Sequence, residues 1–386
     1  MRDNIAVFSK YEDKYVLIAV KGGRAEQIYV YGSLDTVDIG TVINCRIENR
    51  IPGIDSCFAR YRDDDIAFVG KVYKPGTLVP LMYKKEAYRD KKACFTDKIT
   101  IDGEYTVVTT GEDFVKASSK IAQEDKDKLC ELFHNKKAGR NVGVIIRTKA
   151  YTDPEGADKA VAEFDAIIAL IDNIMTRSEH EVQYSVLYRP LPSYIKDIQK
   201  LTDDGITEVV TDSCKIMKKL ENTYDHFTGP VNLSDRVSPR LYEDELLPLC
   251  KLYAFDAKIS EALSRKVYLK SGAYITIDTT EALTAVDVNS AQAVKGGEKE
   301  DTFLAINLEA ADEIARQLRL RNISGMIVID FINMNGRDSY DELENRIKQA
   351  ISCDHVSTRF IDFTGMKLCE IVRQRLGRSL YHNLKG

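Results

Sequence analysis

The stretch from Lys270 to the C-terminus restricts the fold most, because short apolar segments alternate there with helical ones. The apolar segments have the length of strands and are AYITIDTT, LTAVDVN, GMIVIDFI and TRFIDF. Residues 307–322 and 339–352, which lie between them, are predicted helices, and the first has an apolar stripe at helical spacing. Such alternation predicts an α/β domain in which helices are layered against a sheet.

The helix predicted at 307–322 has signals at both ends. Asn307 has the side chain of an N-cap residue, and acidic residues follow in the first turns. Arg316, Arg319 and Arg321 occupy the last turns, where cations interact favourably with the helix dipole. We therefore expect the helix to begin at Asn307.

Upstream of this region, the sequence predicts two other kinds of structure. Residues 38–110 contain about five short β-like runs separated by IPG, RDDD, KPG and DG, which predicts a small barrel. Residues 112–135 have a helical pattern, the strand-like run VGVIIRT follows, and residues 156–176 have the apolar spacing of a long helix.

The composition is typical of a globular protein, with 44% hydrophobic and 30% charged residues. A chain of 386 residues exceeds the ~250–300 residues at which single cores stop growing, so several domains are expected. No apolar run approaches the ~18 residues of a membrane span, and the N-terminus lacks the apolar core of a signal peptide. The eight dispersed cysteines form no C-x-x-C motif, which favours a reduced, cytoplasmic protein without structural zinc.

The formal net charge of −5 does not indicate a nucleic-acid ligand, although a global sum can hide local fields. Residues 132–152 contain no acid and five cations, which are Lys136, Lys137, Arg140, Arg147 and Lys149. A solvated surface is the commoner explanation of such a run. A phosphate-binding surface and a solvated face therefore both stay open.

Two predicted strands each contain one aspartate among apolar residues. Asp287 shares a strand face with Asn289, because side chains alternate along a strand. Asp330 interrupts a run that has the continuous apolar character of a strand buried on both faces. Two carboxylates on neighbouring strands would suit Mg²⁺, whereas a turn cap or an arginine partner would explain each of them equally well. The five histidines show no metal-ligand spacing, and no P-loop or G-x-S-x-G is present.

Several segments resemble the catalytic core of the ribonuclease E/G family. They are IDTTEALTAVDVNSAQAVKGG, NLEAADEIARQLRLRNISGMIVIDFINM, ENRIKQA and EIVRQRL. The resemblance runs almost without gaps from about residue 267 to residue 376. Upstream, TVINCRIENRIPGIDSCFARY is similar to the start of the family's S1 domain, and VGVIIRT to its 5′-phosphate sensor strand.

The resemblance implies an α/β (α+β multidomain) fold class. An S1/OB-type β-barrel at 38–110 would be inserted into a discontinuous RNase H-like domain formed by 1–37 and 185–268. Residues 111–184 would form the 5′-phosphate sensor region. Residues 269–386 would form a C-terminal DNase I-like α/β layered catalytic domain.

The resemblance also implies the residues of the active site and of a terminal phosphate pocket. Asp287 and Asp330 would ligate the catalytic Mg²⁺, and Asn289 would form a hydrogen bond near the scissile phosphate. Arg147 and Thr148 would bind a 5′-terminal monophosphate, since a guanidinium fork matches phosphate oxygens.

The implied RNA-binding residues are Phe58, Phe68, Lys91 and Arg373. Aromatic side chains that stack on bases, together with cations, are how such barrels hold single strands. The alternative for Phe58 and Phe68 is an ordinary place in the barrel core.

We therefore expect a Mg²⁺-dependent endoribonuclease that cleaves single-stranded RNA to 5′-phosphate and 3′-hydroxyl ends, with a preference for 5′-monophosphorylated substrates. Its expected partners are mRNA or rRNA precursors, with no membrane. The alternatives are a non-catalytic S1-domain RNA-binding protein and a metal-dependent DNA nuclease.

Two departures from the family pattern affect these expectations. Asn333 stands where the family often has a further acid, which predicts a weaker or simpler metal site. The chain stops at Gly386, without the cysteine pair that joins two subunits through zinc in many members. Any homo-oligomer is therefore expected not to be zinc-linked.

Overall fold

The computed structural model describes residues 4–34, 37–87, 91–118, 121–221, 224–225, 229–230, 237–244, 246–290 and 299–385. Its first element is an antiparallel meander of three apolar strands: β1 (Ile5–Tyr11), β2 (Lys14–Lys21) and β3 (Arg24–Tyr31). Gly22 and Gly23 connect β2 to β3 with φ angles of +52° and +79°. Two consecutive positive φ angles are what a two-residue hairpin turn requires, and glycine adopts them without strain.

A small closed barrel follows the meander, as the sequence predicts. Its strands are β4 (Val42–Arg50), β5 (Cys57–Arg60), β6 (Ile66–Val69), β7 (Leu78–Lys85) and β8 (Cys94–Thr96). They pair in the order β4-β5-β6-β8-β7, and β7 pairs back with β4, so that five strands close on themselves. Ile43, Ile47, Leu81 and Phe95 fill the barrel interior.

The next segment combines a four-stranded sheet with helices. Its elements are β9 (Thr100–Asp102), β10 (Thr106–Thr110), β11 (Phe114–Ala117), α1 (Gln123–Lys136), β12 (Val142–Ile146), α2 (Lys149–Thr152) and α3 (Gly156–His180). The long helix predicted from residue 156 is confirmed as α3, whose apolar stripe, including Phe164, Ile167 and Ile171, is buried. The helix predicted over 112–135 is wrong in its first part, because Phe114–Ala117 pairs as a parallel strand with β12.

The middle of the chain contributes short elements to two sheets. They are β13 (Val186–Tyr188), α4 (Ser193–Asp203), β14 (Glu208–Thr211), α5 (Cys214–Glu221), β15 (Tyr224–Asp225), β16 (Gly229–Pro230), β17 (Ser238–Leu241), α6 (Leu249–Leu252) and α7 (Phe255–Leu263). Strands β14 and β17 extend the meander sheet in parallel with β1. Strand β13 instead pairs with β4 of the barrel.

The C-terminal region is the predicted α/β layer. Its elements are β18 (Lys266–Tyr268), β19 (Tyr274–Thr279), β20 (Leu283–Asn289), α8 (Lys299–Leu320), β21 (Gly325–Asp330), α9 (Arg337–Ser352), β22 (Thr358–Phe363), β23 (Cys369–Arg373) and α10 (Leu380–Lys385). The sheet order is β18-β19-β20-β21-β23-β22, with β20 and β21 parallel. Residues of α8 and α9 share one apolar core with one face of this sheet.

The helix predicted at 307–322 begins earlier than expected, because α8 starts at Lys299. Asn307 is therefore not an N-cap. It lies within the helix, is completely buried, and donates from Nδ2 to the carbonyl oxygen of Ile332 at 2.8 Å. The sequence alone does not distinguish an asparagine that caps a helix from one that is buried in the apolar stripe within it.

The described residues form two compact units, of which one comprises Met1–Leu34, Tyr194–Glu221 and Asn232–Gly386, and the other Asp35–Ser193 and Asn222–Val231. An α/β protein with a closed five-stranded barrel is thus confirmed. The division into four domains, with RNase H-like and DNase I-like parts, stays a prediction. None of the described helices combines the length and the apolar character needed to cross a bilayer.

Candidate active site

Asp287 and Asp330 face each other on neighbouring strands of the C-terminal sheet. Parallel pairing of β20 with β21 makes them register partners, so their Cα atoms are about one strand spacing, ~4.8 Å, apart. Both aspartates are exposed, whereas Ile329 and the valines on either side of Asp287 are buried against the helices. The interpretation of β21 as a strand buried on both faces is therefore wrong. The two carboxylates lie on the open face of the sheet.

The arginines of α8 are not partners of these aspartates. Arg316 pairs with Glu313 at 2.6 Å, and Arg321 donates to Gln317. Within the described part of the chain, no lysine or arginine lies within ion-pairing distance of Asp287 or Asp330. No described arginine therefore forms an ion pair with either carboxylate. Arg265 is the nearest to doing so, because the pKa of its guanidinium is raised chiefly by the hydrogen bonds to Asp278 and in smaller part by the charge of Asp287.

Asn289 lies two residues after Asp287 on the same face, as strand alternation predicts. Its Nδ2 donates a hydrogen bond to Oδ2 of Asp287. This hydrogen bond holds the Asp287 side chain in one rotamer. It therefore also determines the direction of the other carboxylate oxygen, Oδ1. The three residues Asp287, Asn289 and Asp330 therefore form one polar cluster on β20 and β21.

The open face around this cluster is acidic. Asp278 on β19 is half-exposed and binds the Arg265 guanidinium at 2.5 and 2.6 Å. Glu370 on β23 is the register partner of Val328, and Asp362 on β22 is the register partner of Glu370. A face with this excess of carboxylates attracts cations more strongly than it attracts a polyanion.

The segment that follows Asp330 is held in place by Asn307 and Glu300, to which the sequence assigned no such role. Asn307 binds both backbone groups of Ile332, since its Oδ1 also accepts the Ile332 N–H at 3.0 Å. Glu300 accepts the backbone N–H groups of Gly336 and Asn335, and these bonds lower the pKa of its carboxyl below the ordinary value. The sequence signal that could have indicated this role of Asn307 is a polar residue at a position of the apolar stripe of the helix.

Two carboxylates and a nearby amide suit a hard cation. Among the described residues, no cluster of three or more histidine, cysteine or acidic side chains could enclose a metal. Mg²⁺ is usually held by one or two carboxylates while it keeps water and substrate phosphate oxygens as its other ligands. The pair formed by Asp287 and Asp330 fits that type of site. Asn333 is exposed in the segment after Asp330, and Gly296 and Gly297 lie outside the described residues.

The aromatic residues predicted to bind RNA lie side by side on the barrel. Phe58 on β5 and Phe68 on β6 are register partners. Both are half-buried, and neither belongs to the buried core of the barrel, whose members alternate with them along the strands. Lys91 is exposed, and Lys92, which the sequence did not suggest, places Nζ 5.9 Å from the centre of the Phe58 ring. Two rings and the Lys92 ammonium group thus share one patch.

Arg147 and Thr148 follow the last residue of β12. The Arg147 guanidinium is exposed and lies 3.2 Å from Oδ1 of Asp102, and Thr148 Oγ1 donates to Ser118 Oγ at 2.9 Å. The other cations of the acid-free stretch are also paired with acids from elsewhere in the chain. These pairs are Lys136–Asp165, Lys137–Asp113, Arg140–Asp172 and Lys149–Glu104. The stretch is therefore not the uncompensated positive surface that its sequence suggests.

Arg373 does not belong to an RNA-binding surface. It is 3% exposed, and its Nε lies 2.7 Å from Oδ2 of Asp354. Its Nη1 donates to Oδ1 of Asn322 and to the carbonyl oxygen of Ile323. The guanidinium joins β23 to the residues that follow α8 and α9. Because it is buried in these contacts, it is not available to bind RNA.

Comparison with known proteins places this geometry in context. The sequence model described as the Ribonuclease E/G family matches residues 100–376. Ribonuclease E of Haemophilus influenzae is 33% identical over 83% of this chain and 34% of its own length. Ribonuclease E of Escherichia coli K12 is 32% identical over 80% of this chain and 29% of its own length.

The family match covers well over half of the chain. The chain belongs to the ribonuclease E/G family. It spans about a third of the two ribonuclease E proteins. Ribonuclease G of E. coli K12 is 28% identical over 95% of this chain and 78% of its own length.

The family match confirms the resemblance that the sequence showed from residue 267 and extends it upstream to residue 100. All five barrel strands lie outside the match, so the closed five-stranded topology is the observation that supports an S1/OB-type barrel. The polar cluster of β20 and β21 lies in one compact unit. The barrel aromatics, Arg147 and Thr148 lie in the other.

Proposed function

We propose that the chain is a metal-dependent endoribonuclease that hydrolyses single-stranded RNA in RNA processing and decay. The observation that carries this proposal is the in-register pairing of Asp287 with Asp330 on an open sheet face, where no described lysine or arginine forms an ion pair with either carboxylate. Membership of the ribonuclease E/G family and the names of the relatives support it.

Each residue of the cluster has a distinct task in this proposal. Asp287 and Asp330 hold Mg²⁺ through carboxylate oxygens, and Asn289 orients Asp287 through its hydrogen bond. When bound, Mg²⁺ supplies Lewis acidity, which activates water and stabilises negative charge on the phosphate. Water loses a proton and adds to phosphorus as the bond to the 3′ oxygen breaks, and the 3′ oxygen takes up a proton from solvent. The products are a 5′-phosphate and a 3′-hydroxyl. None of the six strands of this sheet contains a histidine, so a histidine pair acting on the 2′-hydroxyl has no support here.

The barrel patch is proposed to hold the RNA strand. Stacking on Phe58 and Phe68 supplies attraction that does not depend on sequence, and Lys91 and Lys92 add contacts to the backbone. Replacing either phenylalanine by alanine should weaken RNA binding by about 1–3 kcal/mol per lost stack. A lower melting temperature with unchanged RNA affinity would assign these rings to the barrel fold instead.

Arg147 and Thr148 are proposed to bind a 5′-terminal monophosphate. The guanidinium is exposed, and its ion-pair partner among the described residues, with which an incoming phosphate would have to compete, is the exposed Asp102. Exposed ion pairs of this kind are worth about 0–1 kcal/mol, so the exchange of partners costs little.

The test of the proposed function is cleavage of a 5′-monophosphorylated single-stranded oligomer by the purified full chain, with Mg²⁺ varied. Asp287→Asn and Asp330→Asn should each lower the rate on the order of a thousandfold or more, because a metal ligand worth several kcal/mol is lost. Asp362→Asn is the matched control, since it makes the same change two strands away and in the row of Val328, ~12 Å from Asp330. Binding without Mg²⁺-dependent cleavage by the unmodified chain would favour the non-catalytic alternative.

A further inference from the structure

Two tyrosines lie beside the polar cluster on the same open face. Tyr268 on β18 is the register partner of Tyr274 on β19, and Tyr274 is the register partner of Asn289. One row across three strands therefore runs from Tyr268 through Tyr274 to Asn289. Since neighbouring strands are ~4.8 Å apart, the two rings start about two and one spacings from Asn289.

The rings form a cluster with a lysine. Their centres are 6.2 Å apart, and Tyr268 is 68% exposed. Nζ of Lys266 lies 3.5 Å from the centre of the Tyr274 ring and 4.8 Å from that of Tyr268. Lys266 is also the register partner of Thr276, which pairs with Asp287. The tyrosine–lysine cluster, comprising Lys266, Tyr268 and Tyr274, thus borders the carboxylates.

The fold does not require aromatic residues at these positions. Alternation along β18 and β19 buries Val267 and Ile275 in the core and turns the tyrosines to the open side. On this otherwise acidic face, a polyanion needs attraction that is not electrostatic. Aromatic rings next to a cation are the combination that single-stranded nucleic acids bind, because every base has a π-face.

We propose that the tyrosine–lysine cluster is a stacking platform for one RNA base next to the scissile phosphate. The base stacks on Tyr268, Tyr274 supports that ring from the side of Asn289, and Lys266 contacts the backbone phosphate of the same nucleotide. This proposal rests on the proposed function and adds a determinant of where the strand is cut. The platform fixes the distance from a stacked base to the cut, largely independently of which base it is.

The experiment uses an RNA oligomer with one cleavage site and a series in which a single base at a time is removed. At one position near the cut, base removal should lower kcat/KM of the unmodified chain by roughly fivefold to a hundredfold, the range expected for one stack. The double variant Tyr268→Ala/Tyr274→Ala should show that loss already on intact RNA and no further loss at that position. Tyr268→Phe/Tyr274→Phe keeps both rings and should behave like the unmodified chain.

Tyr381→Ala is the matched control for removal of an exposed ring. Tyr381 is 54% exposed on α10 and has its own cation, with Lys385 Nζ 5.3 Å from the ring centre. Its substitution should change neither the rate nor the response to base removal. Melting temperatures of all variants identify any that lose activity by unfolding.

A second measurement does not depend on cleavage. With 2-aminopurine placed at one position at a time along the RNA, fluorescence should be quenched at one position when the RNA binds the Asp287→Asn chain. This quenching should be absent when the RNA binds the Asp287→Asn/Tyr268→Ala double variant. If the double alanine variant lost the same factor in kcat/KM on intact and on base-deleted RNA, the platform proposal would be overturned. An altered oligomeric state with unchanged response to base removal would also overturn it and would assign the cluster to contacts between copies. If the unmodified chain cleaves nothing, the proposed function fails, while the fluorescence still tests the platform.

Discussion

The two faces of the C-terminal sheet use charged side chains in opposite ways. On the helix-covered face, Arg373 and Asp354 are buried together, and Asn307 binds both backbone groups of Ile332. On the open face, Asp287 and Asp330 oppose each other without a described counterion. Polar groups with partners of opposite charge or with hydrogen-bonding partners hold the fold together, whereas two carboxylates that oppose each other slightly destabilise it. The comparison separates residues retained for stability from residues available to a ligand.

The largest expected effect tests the covered face. Arg373→Met should destabilise the chain by about 3–5 kcal/mol, because Asp354 would be left buried without its partner. Urea unfolding measures this change. Arg375→Met removes the same charge from an exposed position two residues later and should change little. If Arg373→Met instead lowered RNA affinity and left the stability unchanged, Arg373 would be an RNA contact. The distinction drawn between the two faces of the sheet would then be wrong.

A second prediction concerns the segment that the covered face positions after Asp330. Asn307→Ala should cost about 1–3 kcal/mol, because the N–H and carbonyl groups of Ile332 would be left buried and unpaired. Cleavage should fall more than that of other variants of equal stability, since the strand end holding Asp330 would loosen. Asn307→Asp keeps the acceptor and should lie in between. Normal cleavage by a destabilised Asn307→Ala chain would limit Asn307 to a structural role.

A third prediction concerns Arg147, an exposed charge that is paired with Asp102 and that we propose binds a terminal phosphate. Arg147→Ala should remove about 1.5–3 kcal/mol of the preference for 5′-monophosphorylated over 5′-hydroxyl RNA, the value of a charged hydrogen bond. Asp102→Asn should strengthen the preference, because Asp102 competes for the same guanidinium. Lys149→Ala serves as the neighbouring control. Equal losses on both substrates would make Arg147 one more surface cation.

The smallest expected effect tests the repulsion between the two carboxylates on the open face. Without divalent metal, Asp287→Asn should stabilise the chain by about 0.2–1 kcal/mol, because opposed like charges on neighbouring strands repel. Asp278→Asn should not, since Asp278 is compensated by Arg265. Added Mg²⁺ should raise the melting temperature of the unmodified chain and not that of Asp287→Asn. A metal-free Asp287→Asn chain less stable than the unmodified one would indicate a structural role for this carboxylate.

The sequence predicted the strands of this sheet more accurately than it predicted which strand faces are exposed. Met326 and Val328 are apolar although they lie on the open side, and they gave β21 the appearance of a strand buried on both faces. The start of α8 was misplaced because Asn307 has the side chain of an N-cap while serving as a buried clamp. Strand β11 was missed because its pairing with β12 is a tertiary contact that local spacing does not show.

The candidate site was predictable in its residues but not in its arrangement. Strand alternation correctly placed Asp287 and Asn289 on one face. That Asp330 is the register partner of Asp287 depends on how β20 and β21 pair across α8, which neither strand specifies alone. Arg373 was misassigned because it clusters in sequence with exposed arginines, and only the packing of β23 distinguishes it.

The parallel pairing of β20 with β21 has a consequence for the order of folding. Their connection contains the whole of α8, so the two aspartates meet only after a long loop has closed around that helix. Non-local pairings of this kind form slowly, because the entropy of loop closure is lost before the contacts are gained. A slip of one residue between the strands would also turn one aspartate towards the core. A chain able to bind the metal has therefore already completed the crossover in the correct register.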